Sequence, residues 1–315
     1  MKMERLPDDQ RVNRKMMSPS MLLDMRESAK YFKSKHILKE IPDEPTLAME
    51  EGTMFHMAIL EPDKFKKTYI ELDKEKYLTT VDQMKNKLTE LGHVPVKGLK
   101  EKIVQQFEEL GLGDLVLDSA VKRLEDQGMV TISPDKYRRV NRVLEEIAAH
   151  NWLGKALQGG FCEQPAWWEH ESGLTFSMRM DYFNPSLGSI NKRPVVIDIK
   201  TTSSVNPWRF ERQIHDSGWH IAAYCYVEGI RKITGVVPDF VWAVVETKAP
   251  FRISTLCADD ANLEQGKLDF EKLVKEYLTC LETNSWPDYT NGNVINVSLP
   301  SYAFSKNHDS FYEQY

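Results

Sequence analysis

Two short stretches carry reactive residue types at a spacing that gathers them. In FSMRMD (176–181) Arg179 and Asp181 stand two apart, and in VIDIKTT (196–202) Asp198 and Lys200 stand two apart. On a β-strand, with its period of two, the members of each pair project from one face. If the two strands pair, two carboxylates and an ammonium converge at one edge of a sheet. Converging carboxylates repel and are costly to desolvate. A divalent cation resolves that cost, and hard oxygen ligands favour Mg²⁺ or Mn²⁺ over zinc. A lysine beside such an ion can hold or activate water and offset charge on a transferring phosphoryl group. Asp-x-Lys alone reads more readily as a solvated surface pair, which is common and worth little; a second acid on an adjacent strand brings the two readings level.

The elements that must position these residues are legible as periodicities. Residues 174–183 alternate, with Phe176, Met178, Met180 and Tyr182 opposed to Ser177, Arg179 and Asp181. Residues 195–202 set Val195, Ile197 and Ile199 against Val196, Asp198 and Lys200. Further strands are expected at 239–246 and 250–257, and helices at 133–158, 206–215, 217–232 and 261–283. Upstream, 18–75 reads as largely helical: SPSMLLDMRESAKYF opens on Ser18 or Ser20 as N-cap. TLAMEEGTMFHMAILE, near 46–60, puts Ala48, Gly52, Phe55, His56 and Ile59 on one broad face before Pro62 ends it. Strand–strand–helix–strand preceded by helices is an α/β pattern, a mixed central sheet flanked by helices.

Residues 77–113 have another texture. They read as two short amphipathic helices around a Gly/Pro turn, with Met84, Leu88 and Leu91 on one stripe and Leu99, Ile103, Val104 and Phe107 on the other. So short a unit has little core of its own, so it is expected as an insert. The chain then divides into an N-terminal helical part at 1–76, the insert at 77–113, and the main core continuing over 114–315.

Composition narrows the classes. The chain has 315 residues, 41% hydrophobic and 28% charged, as in a globular protein rather than a disordered one. No apolar run approaches the roughly 18 residues of a membrane span, and MKMERLPDDQRVNRKMM lacks a signal-peptide apolar core. A cytoplasmic location without membrane partners is expected. Net charge is −6, so any nucleic-acid contact must come from local basic patches or from bridging metal ions. Cys162, Cys225, Cys257 and Cys280 are widely spaced. They form no zinc-type pair and lack the local spacing of an iron–sulfur site.

GTMFH (52–56), FSMRMD and VIDIKTT occur in the order seen in PD-(D/E)XK nucleases, and the chain resembles the RecE (exonuclease VIII) type of phage and prophage exonuclease. EEGTMFHMAILEPDKF is similar to that family's Gly-x-x-x-His helix. GWHIAAYCYVEG (218–229) is similar to the helix after its Asp-x-Lys strand, and SWPDYTNGNVINVSLPSYAF to its C-terminal segment. The resemblance covers most of the chain outside 77–113 and implies a restriction-endonuclease-like core. It implies Asp181, Asp198, the Ile199 carbonyl and His56 as metal ligands, and Lys200 as the catalytic lysine, with Asp181 and Asp198 sharing the catalytic centre. On its residues alone His56 also reads as a core histidine. Glu163 resembles an upstream acid of related nucleases, and reads equally as a solvated loop carboxylate. Arg179 is an accessory candidate. One departure stands out: where the family shows Gln-x-x-x-Tyr, this chain has Ala222 and Tyr226. The amide is missing, and His220 is a candidate to supply the positioning contact.

The insert resembles a SAP-like DNA-binding module, with Lys97, Lys100 and Lys102 around the start of its second helix; a hairpin with a solvated basic face is the alternative. KYFKSKHILK, with Lys33 and Lys35, either tracks a DNA backbone or is scattered surface charge. Trp167, Trp168, Trp208 and Trp219 read as core or pocket residues, with base stacking as the lesser alternative. The resemblance implies a Mg²⁺-dependent 5′→3′ exonuclease (Mn²⁺ also serving) on double-stranded DNA ends in phage-type recombination. It further implies a ring-shaped homo-oligomer, a single-strand annealing partner, and residence in a bacterial or phage-infected cytoplasm. A DNA-end-binding accessory protein of little or no activity and a defence-type endonuclease are the competing readings.

Overall fold

The alternating stretches form neighbouring strands of one sheet. The structure, a computed structural model, describes residue 3 and residues 16–42, 44–186 and 193–299. The N-terminal residues 4–15 and the end of the C-terminal resemblance, 300–304, lie outside the described residues. The chain divides into two compact units, Met1–Pro19 with Asp43–Phe270, and Ser20–Pro42 with Glu271–Tyr315. The expected boundaries near 76 and 113 both fall inside the first unit, while 20–42 groups with 271–315.

The strands are β1 (Met16–Met17), β2 (Tyr69–Glu71), β3 (Val130–Ile132), β4 (Phe161–Glu169), β5 (Thr175–Asn184), β6 (Val195–Thr202), β7 (Asp239–Glu246) and β8 (Ile253–Cys257). Among the described residues β4 to β8 run side by side in chain order. The β4–β5, β5–β6 and β7–β8 pairs are antiparallel, and β6–β7 is parallel. β1 adds in parallel to the start of β5, and β2 and β3 form a separate parallel pair. A parallel pair needs a long crossover. Between β6 and β7 it is supplied by two helices, Pro207–Asp216 and Trp219–Thr234.

The first unit's helices are α1 (Leu47–Leu60), α2 (Pro62–Thr68), α3 (Val81–Glu90), α4 (Lys100–Glu109), α5 (Leu117–Asp126), α6 (Pro134–Ala149), α7 (Leu153–Ala156), α8 (Pro207–Asp216) and α9 (Trp219–Thr234); α10 (Asp260–Thr283) begins in it. All eight residues of β7 are buried, the signature of a central strand covered on both faces. Val195, Ile197 and Ile199 of β6 enter a core with Phe55 and Ala58 of α1, Val143 and Ile147 of α6, and alternate residues of β7. Asp198 and Lys200 project from the opposite face. The four alternating apolar residues of β5, Phe176, Met178, Met180 and Tyr182, are buried but serve two clusters. Tyr182 joins that core, whereas Phe176 packs on Trp168 and Phe270 at 5.1 and 4.8 Å between ring centres.

The strand β4 is absent from the sequence reading. Pro165 inside FCEQPAWWE argues against a strand, since proline cannot donate to a ladder. Among the described residues β4 pairs only with β5, so there Pro165 sits on an edge where its missing N–H costs nothing. The insert also departs in detail. Met84, Leu88, Ile103, Phe107 and Val116 are fully buried together, but Leu91 is 43% and Leu99 76% exposed. Leu99 is the cap of α4 rather than part of its stripe. A bridge between Leu78 and Val116 closes the module's base, and the side chain of Gln106 clamps its loop by accepting from the Val96 N–H and donating to the Val94 carbonyl.

In the second unit Phe32 stacks on Trp286 at 5.9 Å and meets Tyr277 edge-on at 5.2 Å. Among the described residues no helix is long and apolar enough to cross a membrane.

Gly229 on α9 faces β5 so closely that a Cβ there would lie 2.5 Å from Met178 Cε and 2.8 Å from Trp168. Gly229→Ala is therefore expected to destabilise the protein by about 1–3 kcal/mol through overpacking, read as a lower urea midpoint with unchanged slope.

Candidate metal centre and active site

The β5–β6 ladder is short. Its last pair is Tyr182 with Ile197, and the next in register would set Asp181 opposite Asp198. Like charges facing across a ladder are destabilising, and the strands part there. Asp181 Oδ2 instead accepts the Ile199 N–H at 2.8 Å, a side-chain oxygen standing in for the missing main-chain partner. A strand residue points its N–H and C=O to the same side, so the Ile199 carbonyl also faces the opening. Along this edge β1 pairs only at Thr175 and Phe176, leaving β5 without a ladder partner there between Ser177 and Asp181 among the described residues.

Into this opening α1 brings His56. Its Nδ1 lies 3.6 Å from Asp181 Oδ2. Gly52, one turn earlier, makes the approach fit, because a Cβ there would be only 3.3 Å from Thr201 Oγ1 on β6. Thr46 caps the helix by accepting the Met49 N–H. Arg139 of α6 holds its outer side, binding Glu51 at 2.5 Å and the Thr247 carbonyl at 3.1 Å. Lys200 Nζ lies 2.6 Å from Asp198 Oδ2. That contact is close in distance but not aligned as a hydrogen bond, so Asp198 Oδ2 is a buried oxygen with no donor among the described residues.

The electrostatics follow from this crowding. Burial, then the Asp198 carboxylate, pushes the Asp181 carboxyl up to about 7, with Lys200 and the Ile199 N–H pulling the other way. Burial and then the Lys200 ammonium lower His56 from its usual range, while Asp198 and a hydrogen bond to the Ile199 backbone oppose them. The imidazole is therefore kept neutral, the form that can donate a lone pair to a metal. Tyr226, raised well above the usual phenol range by burial and the two aspartates, stays protonated. Its hydroxyl donates to the Arg179 carbonyl at 3.1 Å, pinning β5 beside the opening.

A divalent cation fits this donor set. The groups are two carboxylates, Asp181 raised by burial and by the charge of Asp198, a buried orphan oxygen, a backbone carbonyl turned to an unpaired edge, and a neutral imidazole. Hard oxygen donors of this kind match Mg²⁺ or Mn²⁺.

Glu163 stands beside the group. The β4–β5 pairs on either side are Cys162 with Tyr182 and Gln164 with Met180, so Glu163 is opposite Asp181 but drops out of the ladder with φ 48°. Such backbone is uncommon outside glycine and marks functional sites. Its carboxylate binds Arg179 Nε at 2.7 Å and helps raise Asp181. Glu163 is thus tied to the sheet and is not a free loop carboxylate.

Other candidates lie elsewhere. His220 is buried and uses both ring nitrogens, Nε2 at 2.8 Å from Asp269 and Nδ1 at 3.4 Å from the Ile214 carbonyl, so it does not stand in for an amide at position 222. Lys100 is held by Asp118 at 2.7 Å. The stem of Lys102 packs beneath Gly98, and Lys97 lies exposed in the loop before α4. Lys33 and Lys35 fall on the π-helical turn Lys33–Ile37 of the second unit, where Lys35 is 3.1 Å from Asp24. Of the tryptophans, Trp168 is core and Trp208 is 74% exposed. Trp219 is a pocket residue and places its ring centre 5.2 Å from Lys200 Nζ.

The sequence matches the PDDEXK-like domain of unknown function (DUF3799) over residues 18–295. The chain belongs to that family. Nucleases of the PD-(D/E)XK class generally use divalent metals. The fold is similar to that of a crystal structure from Eubacterium rectale described as a "putative exonuclease", with 14% identity and a TM-score of 0.55, covering 96% of this chain and 99% of that one. At that identity the likeness speaks to the fold alone. No curated protein sequence matches the chain.

Two outcomes follow from the raised Asp181 carboxyl. Metal binding must displace its proton, so Mn²⁺ affinity should rise with pH through about 7, with proton release detected by calorimetry in buffers of different ionisation enthalpy. A folded value above the unfolded one, about 3.9, stabilises the fold below that range and loses this contribution as pH rises through the folded value. Asp181→Asn cannot ionise and should melt about 2–4 °C higher than wild type near pH 8 without metal. The difference should close below about pH 4.

Proposed function

We propose that this chain is a metal-dependent deoxyribonuclease, and within that class a 5′→3′ exonuclease acting on double-stranded DNA ends with Mg²⁺ as its ion. The observation that carries the reading is the gathering of Asp181, Asp198, His56 and the Ile199 carbonyl at the parted β5–β6 edge, with the Lys200 ammonium 2.6 Å from Asp198. A bound divalent ion would supply Lewis acidity and bring a water's pKa toward neutrality. The chain's own residues do the rest. Asp181 and Asp198 hold the ion, and His56 adds a neutral donor without adding charge. Lys200 orients a water and offsets charge on the phosphoryl oxygens. Tyr226 keeps β5 in place through the Arg179 carbonyl.

With a net charge of −6, attraction for DNA must be local. In this reading Lys97 and Lys102 of the insert meet phosphate, with Lys100 joining if Asp118 releases it. The similarity to RecE-type exonucleases supports a role in phage-type recombination, with a ring-forming homo-oligomer and a single-strand annealing protein as partner. A second reading, a DNA-end-binding accessory protein, is favoured by one residue: Ala222 offers no amide to a scissile phosphate.

End-labelled linear duplex incubated with Mg²⁺ should be degraded, with turnover falling about 100- to 1000-fold in Asp198→Ala and in Lys200→Ala. Nucleotide release that is the same in both variants as in wild type would remove the hydrolase reading. Wild type that binds ends without cleaving them would establish the accessory role, and cleavage of closed circular DNA would make the enzyme an endonuclease.

A further inference from the structure

The geometry points to Trp219 as the residue that positions Lys200, its indole face acting as the ammonium's second anchor; this rests on the nuclease reading above. Lysine carries its charge on a flexible four-carbon stem, so one contact does not fix it. Lys200 Nζ has two, Asp198 Oδ2 at 2.6 Å and the Trp219 ring at 5.2 Å from its centre. The first is provisional. A carboxylate that shares its electrons with a divalent ion has less charge left for a neighbouring ammonium. The second is not consumed in this way, because the ring quadrupole is independent of the ion, and tryptophan is the strongest such partner.

The core sets where the indole stands. Trp219 is the first residue of α9, reached through Gly218 in the left-handed region at φ 68°. Its ring lies 5.3 Å from that of Phe210 on α8, which in turn packs edge-on against Trp242 of β7 at 6.2 Å. Trp242 is the register partner of Asp198. A chain of aromatic contacts therefore ties the indole to the strand beside Asp198, so the ammonium is held in relation to the carboxylate even when their direct contact loosens.

The test compares full-length Trp219→Phe, which keeps a π face, with Trp219→Met, which keeps similar bulk without one. On linear duplex with Mg²⁺, the Met variant is expected to lose about tenfold in kcat with little change in KM, and the Phe variant to retain most of kcat. Mn²⁺ affinity by calorimetry should match wild type in both. Equal losses in the two variants, a loss carried wholly by KM, or no loss in either overturns the proposal. A second readout needs no catalysis. In protein labelled at lysine Cε, the Lys200 methylene protons, assigned with Lys200→Arg, should be shifted upfield by the indole in wild type and return to the ordinary lysine position in the Met variant. An ordinary shift in wild type sinks the Trp219 contact. Wild type with the upfield shift but no cleavage sinks the nuclease reading and leaves the contact standing.

Discussion

The repulsion between Asp181 and Asp198 governs the shape of the sheet around them. Their register would make them direct neighbours across an antiparallel ladder, inside a partly buried edge where like charges are most expensive. The backbone answers by ending the ladder at Tyr182 and Ile197 and turning the Asp181 carboxylate onto the Ile199 N–H. β5 then continues without β6 and meets β1 only at its start. What remains is an opening lined with oxygen atoms, one of them a buried carboxylate oxygen without a hydrogen-bond donor among the described residues. Crowding two carboxylates there is a penalty to the fold, and a cation bound at the opening would relieve it.

A destabilised site holds its geometry only if its surroundings are stiff. Here they are. β7 is buried along its whole length and clamps β6 from the far side. Gly52 lets α1 lie close enough to β6 to bring His56 to Asp181, and the buried Phe55 and Ala58 fix that helix in the core. Tyr226 and the strained Glu163 secure β5 on either side of Arg179. Because these supports come from strands and helices rather than loops, small displacements of the reactive groups are resisted by packing.

Much of this was legible beforehand. The period-two alternation of 174–183 and 195–202 became β5 and β6, and the pattern near 46–60 became α1 with His56 and Gly52 on it. The core of the insert was read correctly at Met84, Leu88, Ile103 and Phe107, because those residues repeat at helical spacing. Misreadings occurred where a local signal competed with a tertiary one. Pro165 disguised β4, since only its edge position makes a proline harmless there. Leu99 fitted an apolar stripe by count, but Gly98 at φ 146° starts the helix one residue later and leaves Leu99 outside it. His220 looked available by type and position, yet burial and Asp269 occupy it.

Amino-acid order alone determined which groups share a face: Asp198 with Lys200, and Asp181 with Arg179, since strand periodicity is a property of the backbone and needs no partner. It also determined that Ala222 brings no amide. Only the tertiary structure decided that Asp181 lies opposite Asp198, that Glu163 is drawn beside them, and that an indole faces the lysine. Those placements come from strand register and helix packing between segments distant along the chain, and no local pattern encodes the distance between them.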